Sequence, residues 1–245
     1  MNRLILIRHG QSVWNAQNIF TGWVDVELTS KGEQEAKLSG ELIKDINFKP
    51  KVCFTSYLKR AKDTLDIILK EINVHDSTSI NYSWQLNERH YGSLQGLNKK
   101  ETLNKYGEDQ FLKWRRSYET PPPRLDSLSE MNPKNDPLYS EVISSELPLS
   151  ECLKDTYNRV IPYWKKSITP LLESGDTLIV AHGNSLRALC KELFNISDQD
   201  IVKLEIPTGN PLFLDLDNSC KIKSARYLNL SRAEKILKFY NFFRI

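Results

Sequence analysis

Two short segments of the 245-residue chain combine residue types that could do chemistry. Leu4-Ile5-Leu6-Ile7 ends in Arg8-His9-Gly10-Gln11-Ser12, and Leu178-Ile179-Val180-Ala181 ends in His182-Gly183-Asn184-Ser185. In each, an apolar run stops at His-Gly and then turns polar. Ligands of open α/β sheets bind just beyond the carboxyl ends of the strands, so two parallel strands would deliver His9 and His182 to one edge. The glycines allow the backbone to approach a ligand, and turn amides beyond them can bind an anion. One His-Gly alone reads at least as well as a hydrogen-bonded histidine at a strand end. Two such units, in a chain with four histidines, point to a shared site.

The sequence has no Walker A loop and no G-x-G-x-x-G, so phosphate recognition would fall to other groups. Arginine matches a phosphate dianion with paired hydrogen bonds. Arg8 adjoins His9, Arg60 lies off the apolar stripe of its helix, Arg89 sits in Asn87-Glu88-Arg89-His90, and Arg115-Arg116 follow Trp114. Each alone also reads as a solvated surface residue; together they suit a small polyanion. Glu88 stands beside them. An incoming phosphate would repel its charge and favour the protonated form, as a general acid requires. A structural salt bridge to Arg89 or another arginine is an equally good reading of Glu88.

These groups need elements to hold them. Residues 4–7, 52–55 and 178–180 read as short buried strands. Residues 30–46 read as a helix, with Ser30 and Glu33 as a capping box and Leu38, Leu42 and Ile46 at helical spacing. A second helix carries Leu58, Ala61, Leu65, Ile68 and Ile72 on one stripe. Alternation of Ile80, Tyr82, Trp84 and Leu86 predicts a half-covered strand. Ser150 is the predicted cap of a helix bearing Leu153, Tyr157, Val160, Trp164 and Ile168, kinked at Pro162. Another helical stretch starts at about Ser185. Alternating strands and helices predict a three-layer α/β/α fold around a mostly parallel central sheet. We expect one domain over 1–245, with a Pro-rich insertion at about 119–148 that is either functional or disordered, and a distinct tail at about 230–245.

Composition bounds the function. With 34 basic and 31 acidic residues, the formal charge of +3 argues against a nucleic-acid or membrane-surface binder. Cys53, Cys152, Cys190 and Cys220 are far apart, without zinc spacing, and three lie in apolar stretches where buried thiols are expected. A reduced, cytoplasmic setting fits. The apolar run at 4–7 is too short for a signal peptide or membrane span.

The motifs resemble those of the histidine phosphatase superfamily and, within it, the cofactor-dependent phosphoglycerate mutases. The matching segments are RHGQSVWN at 8–15, FTGW at 20–23, TSYLKRA at 55–61, NERHYGSLQGLNK at 87–99, WRR at 114–116, ELPLSE at 146–151, AHGNSLRAL at 181–189 and IPTGNP at 206–211. They run in the family's order over almost the whole chain. The resemblance implies reversible exchange of 3-phosphoglycerate and 2-phosphoglycerate in glycolysis and gluconeogenesis, primed by 2,3-bisphosphoglycerate and without a metal. It implies His9 as the phosphoryl carrier, Glu88 as proton donor and acceptor, and His182 with Arg8 and Arg60 as stabilisers of the phosphoryl in flight. It assigns Gly10, Gln11, Ser12, Asn15, Thr21, Gly22, Arg89, His90, Tyr91, Lys99, Arg115, Arg116, Gly183 and Asn184 to substrate binding. A homodimer or homotetramer is expected, with small phosphoglycerates as partners and no nucleic acid. Gln11 departs from the family's usual Glu. The tail from Ala233 is apolar, aromatic and basic where family tails are more polar, and reads as a packed helix, a lid or an oligomer contact. A phosphomonoesterase or bisphosphoglycerate synthase on the same fold is the nearest alternative. A catalytically dead phospho-binding module would have lost His9, Glu88 or His182, and all three are present.

Overall fold

The apolar run at 4–7 lies inside β1 (Asn2–Arg8), and Leu4, Ile5, Leu6 and Ile7 are all buried. In the computed structural model, which describes residues 2–217 and 219–233, the elements follow as α1 (Val13–Ala16), α2 (Ser30–Asp45), β2 (Val52–Thr55), α3 (Lys59–Glu71), β3 (Ser79–Tyr82), α4 (Lys99–Tyr106), α5 (Glu108–Arg116), α6 (Leu153–Tyr163), β4 (Thr177–Ala181), α7 (Gly183–Leu193), β5 (Leu212–Leu216) and β6 (Ile222–Tyr227). The strands form one sheet in the order β3-β2-β4-β1-β5-β6. β1 to β4 are mutually parallel, and β5 runs antiparallel to both β1 and β6. Successive side chains of a strand face opposite sides, which splits the core in two. Leu4, Leu6, Phe54, Ile179 and Ala181 pack with Val160, Ile161, Leu186 and Leu189 from α6 and α7. Ile5, Ile7, Cys53, Leu178 and Val180 pack with Ile43, Leu65 and Ile68 from α2 and α3. The expected three layers and mostly parallel sheet are present.

Local detail corrects four expectations. Thr29, not Ser30, caps α2: its hydroxyl accepts from the Gly32 amide at 3.1 Å, and Ser30 is already helical. The strand expected over 80–86 stops at Tyr82. Trp84–Leu86 is a single 3-10 turn that buries Trp84 and Leu86, so a turn mimics the alternation of a strand. Cys152 precedes α6 where Ser150 was expected; its amide donates to Asp155, while the Ser150 hydroxyl donates to the Pro122 carbonyl. Pro162 lies in the last turn of α6, which passes into a π-helical turn at Trp164–Ile168 rather than simply bending. The pairs α4–α5 and β5–β6 were not anticipated.

The Pro-rich insertion is packed, with two short 3-10 turns at Pro133–Asn135 and Pro137–Tyr139. Tyr139 and Leu147 are buried against Trp23 and Trp84. Cys53, Cys152 and Cys190 are buried free thiols, as expected, and Cys220 is half-buried. Among the described residues, no helix is long and apolar enough to cross a membrane. The tail, apart from residues 230–233, lies outside the described residues.

Candidate active site

β1 and β4 are adjacent, parallel and in register, with Arg8 opposite Ala181. The next residue on each strand is therefore a histidine at the same sheet edge, and the His9 amide donates to the Ala181 carbonyl at 2.9 Å. The two rings lie 4.9 Å apart, centre to centre, tilted by 59°. His9 Nδ1 pairs with the Gly10 carbonyl at 2.7 Å, which requires the proton on Nδ1. Nε2 then keeps its lone pair and accepts from Arg60 Nε at 3.3 Å. Burial, reinforced by the positive charges of Arg60 and Arg8, pushes the His9 imidazole well below its ordinary range. Burial, with Arg60 next, does the same to His182. Both rings are therefore neutral at pH 7.

Two glycines let this edge close up. A Cβ on Gly10 would stand 2.2 Å from the Gly32 carbonyl oxygen, so α2 packs directly on the turn after His9. Gly22 has φ +58°, and a Cβ there would meet Gln95 Oε1 at 2.1 Å. Its carbonyl accepts from Arg60 Nη2 at 2.8 Å, and the Val24 carbonyl accepts from Nη1 at 3.1 Å. Arg60 is thereby fixed on His9 while fully buried, and burial brings its guanidinium down to about 10. It stays charged at neutral pH.

Glu88 is held from two sides. Its Oε1 accepts from the Arg89 amide at 2.8 Å, the Asn184 amide at 3.1 Å and Asn184 Nδ2 at 2.8 Å. Its backbone carbonyl accepts from Trp23 Nε1 and Arg159 Nη2, and Arg159 is locked by Glu151 at 2.6 Å. No salt bridge joins Glu88 to Arg89 among the described residues: Arg89 donates to the Arg115 carbonyl and stacks 4.5 Å over the Tyr91 ring. Glu88 Oε2 lies beside Gly183.

A cavity of about 470 Å³ opens over these groups. Of the expected site residues, Arg8, His9, Asn15, Thr21, Gly22, Arg60, Glu88, Tyr91, Lys99, Arg115, Arg116, Gly183 and Asn184 line it. His182 stands behind, fully buried against His9. Gly10, Gln11, Ser12, Arg89 and His90 do not reach the cavity. Gly10 packs on Gly32, and Gln11 binds Glu35 and Thr29. Ser12 caps α1 and exchanges hydrogen bonds with Asn15. Arg89 is wholly buried beneath Tyr91, and His90 is tied to Glu151 and Gly92. Arg187, Glu205 and Arg232, none of them an expected site residue, also line the wall. Arg187 had a signal: it follows Asn184 by three residues on one helix face.

Seven cationic and two acidic side chains line the cavity. Burial, then neighbouring positive charge, lowers Arg115; burial is also the first cause for Lys99, where Arg115 adds to it. Arg8 Nε, Thr21 Oγ1 and His182 Nδ1 are buried without a hydrogen-bond partner among the described residues. Crowded cations and unpartnered polar atoms at a histidine pair suit a phosphorylated anion.

The comparisons agree with this class. The model of the histidine phosphatase superfamily (branch 1) matches residues 4–148. The 2,3-bisphosphoglycerate-dependent phosphoglycerate mutase of Corynebacterium diphtheriae is 56% identical over 218 residues, covering 89% of this chain and 87% of that protein. The protein of the same name from Maricaulis maris is 52% identical over 238 residues, covering 96% and 98%. The solved structure of YhfR from Bacillus stearothermophilus superposes with a TM-score of 0.68 at 20% identity, covering 90% of this chain and 93% of that one, a likeness of fold. The chain belongs to the histidine phosphatase superfamily and, within it, to the family of the 2,3-bisphosphoglycerate-dependent phosphoglycerate mutases.

Proposed function

We propose that this chain interconverts 3-phosphoglycerate and 2-phosphoglycerate through a phosphohistidine on His9. The observation that carries the reading is the His9 tautomer: Nδ1 is tied to the Gly10 carbonyl, so the lone pair of this cavity-lining ring lies on Nε2, beside Arg60. A neutral imidazole attacks phosphorus without first losing a proton.

Phosphoryl transfer then needs alignment and stabilisation of the charge on the equatorial oxygens. Arg60 is already on Nε2, Arg8 keeps an unpartnered Nε, and His182 is braced by Ser56 Oγ at 2.7 Å. With the Ser56 hydroxyl donating to Nε2 of His182, its Nδ1 proton is free for a phosphoryl oxygen. Lys99, Arg115 and Arg116 supply charge for the carboxylate and the second phosphate. These groups fit 2,3-bisphosphoglycerate, which supplies the phosphoryl group that loads His9. The cationic lining can neutralise the transferring charge without a metal.

Glu88 Oε1 already accepts three hydrogen bonds, so the proton it exchanges with a substrate hydroxyl rides on Oε2. Tyr91 and Asn184 close that side of the cavity, with Asn184 Nδ2 donating to Tyr91 Oη at 3.2 Å. The mutase reading is favoured over a phosphomonoesterase by the Glu88–Lys99 segment and the Arg115-Arg116 pair on one wall. The same reading places the chain in the cytoplasm as one catalytic unit of a homodimer or homotetramer, the latter testable by light scattering. The deciding experiment is a coupled assay from 3-phosphoglycerate to 2-phosphoglycerate. Activity that requires the bisphosphate and survives EDTA supports the reading. Phosphate release without 2-phosphoglycerate would replace it with a phosphatase.

A further inference from the structure

Arg187 is a buried cation on the cavity wall to which the scheme above gives no task. Its Nη1 donates to Asn184 Oδ1 at 2.8 Å, and its Nη2 donates to the Ile201 carbonyl at 2.7 Å. Burial lowers it only to about 10, so it remains a cation at neutral pH. A guanidinium has donors and no acceptor. Asn184 must therefore turn its oxygen toward Arg187 and its amide nitrogen the other way. That nitrogen lies 2.8 Å from Glu88 Oε1 and 3.2 Å from Tyr91 Oη. The amide cannot flip without facing its oxygen to a carboxylate and its NH₂ to a cation.

We propose that Arg187 is a positioning residue that sets the Asn184 amide as a donor to Glu88 Oε1 and thereby reserves Oε2 for the proton exchanged with substrate. The assignment rests on the mutase reading for what the proton does, but its geometry stands in the free protein. Glu88 is held from four segments. The Arg89 amide comes from its own loop, the Asn184 amide and side chain from α7, and Trp23 and Arg159 hold its backbone. The charged and titratable side chains around it are Arg8, Arg60, His9, His182, Arg89, Tyr91, Lys99, Arg159 and Arg187. Arg187 is the one whose hydrogen bond fixes the polarity of Asn184. Lysine shares the donor-only character and the charge, so it should keep that polarity; methionine keeps bulk and loses both.

The test compares Arg187→Met, Arg187→Lys and Asn184→Ala, alone and with Arg187→Met combined with Asn184→Ala. Losing a charge-polarised donor disfavours the ionised carboxylate. In Arg187→Met, kcat should fall by about tenfold or more with KM within about threefold. The acidic limb of the kcat–pH profile should move up by about one pH unit. Arg187→Lys should restore the parental limb. In the Asn184→Ala background, Arg187→Met should add little, because the group it acts through is gone. A parental pH limb in Arg187→Met, or additive effects in the double variant, would overturn the proposal. So would a rise in KM with unchanged kcat in Arg187→Lys, which would make the guanidinium a substrate contact. Carbon-13 NMR titration of the Glu88 carboxyl in ligand-free protein gives the same comparison without turnover. A midpoint that moves up in Arg187→Met and returns in Arg187→Lys supports the assignment, and one that stays put refutes it, even if the parent proves not to be a mutase.

Discussion

Lowering the pH from 7 to 5.5 should cost this protein up to about 4 kcal/mol of stability, because three of its four histidines are buried as neutral rings. Burial is the first cause in each case. Arg60 and Arg8 add to it at His9, Arg60 at His182, and Arg159 at His90, which is brought down to about 3. The unfolded chain binds a proton on each ring below the ordinary imidazole value of 6.5, while the folded chain refuses it. Stability contributed by these groups is therefore present above 6.5 and lost as pH falls. A ring that stays neutral throughout this interval contributes about 1.3 kcal/mol, as His90 at about 3 does. Three such rings give up to about 4 kcal/mol, against a typical total of about 5–15 kcal/mol. His75 is exposed, and its pairing with Asp76 and Asp66 acts in the opposite direction. Urea unfolding at pH 7.0, 6.5, 6.0 and 5.5 measures the slope. His90→Gln, which can still accept from the Gly92 amide, should remove about a third of the loss. Stability that stays flat or rises as pH falls to 5.5 would refute the neutral-ring assignment, and with it the nucleophile's tautomer.

Two substitutions probe the cavity. Glu88→Gln should lower mutase turnover by about 10²–10⁴-fold while His9 is still phosphorylated by the bisphosphate, as stopped-flow and quench-flow would show; unchanged turnover would leave Glu88 a purely structural anchor. Glu205 pairs with Arg116 on the cavity wall and competes there with an anionic substrate. Glu205→Gln should lower KM for 3-phosphoglycerate by up to about fivefold, the scale of a solvent-exposed ion pair; a higher KM would make Glu205 a substrate contact.

The parts of the fold legible in the sequence are those that periodicity governs. β1, β2 and β4 are buried on both faces, so they appear as continuous apolar runs, and α3 buries its expected stripe. The stripe expected on α2 is misplaced: Leu38, Leu42 and Ile46 are only half-buried, and the helix packs through Ile43 and the small residues Ala36, Ser39 and Gly40, which make no apolar periodicity. The site was legible where two such strands end, since parallel register alone brings His9 and His182 together. Trp84 and Leu86 alternate like a strand yet fold as a turn, because burial in a turn leaves the same pattern. The short α4 and α5 bury little, Thr102 and Phe111 in all, so they lack a stripe. What escaped is the role of the support behind the cavity: Trp23 and Glu151 lie in the FTGW and ELPLSE segments and Arg159 in none. Arg159, Glu151 and Trp23 converge on the Glu88 backbone from distant segments, and no local spacing announces such contacts. Arg89 and His90 fall within the NERHYG segment but point away from the cavity. A motif therefore marks a neighbourhood and does not separate its lining from its framework.

In the proposed mechanism the phosphoryl group travels on Nε2 of His9. Incubating the protein with phosphorus-labelled 2,3-bisphosphoglycerate, then combining peptide mass spectrometry with phosphorus NMR of the denatured protein, tests it directly. The geometry predicts an acid-labile, base-stable phosphate within residues 4–15, attached at Nε2, because Nδ1 is occupied by the Gly10 carbonyl. His9→Ala should take up none, and His182→Ala should take it up on the order of 10²–10³ times more slowly, the cost of one lost stabilising donor. Phosphate found on His182, on a serine, or on Nδ1 of His9 would contradict the account.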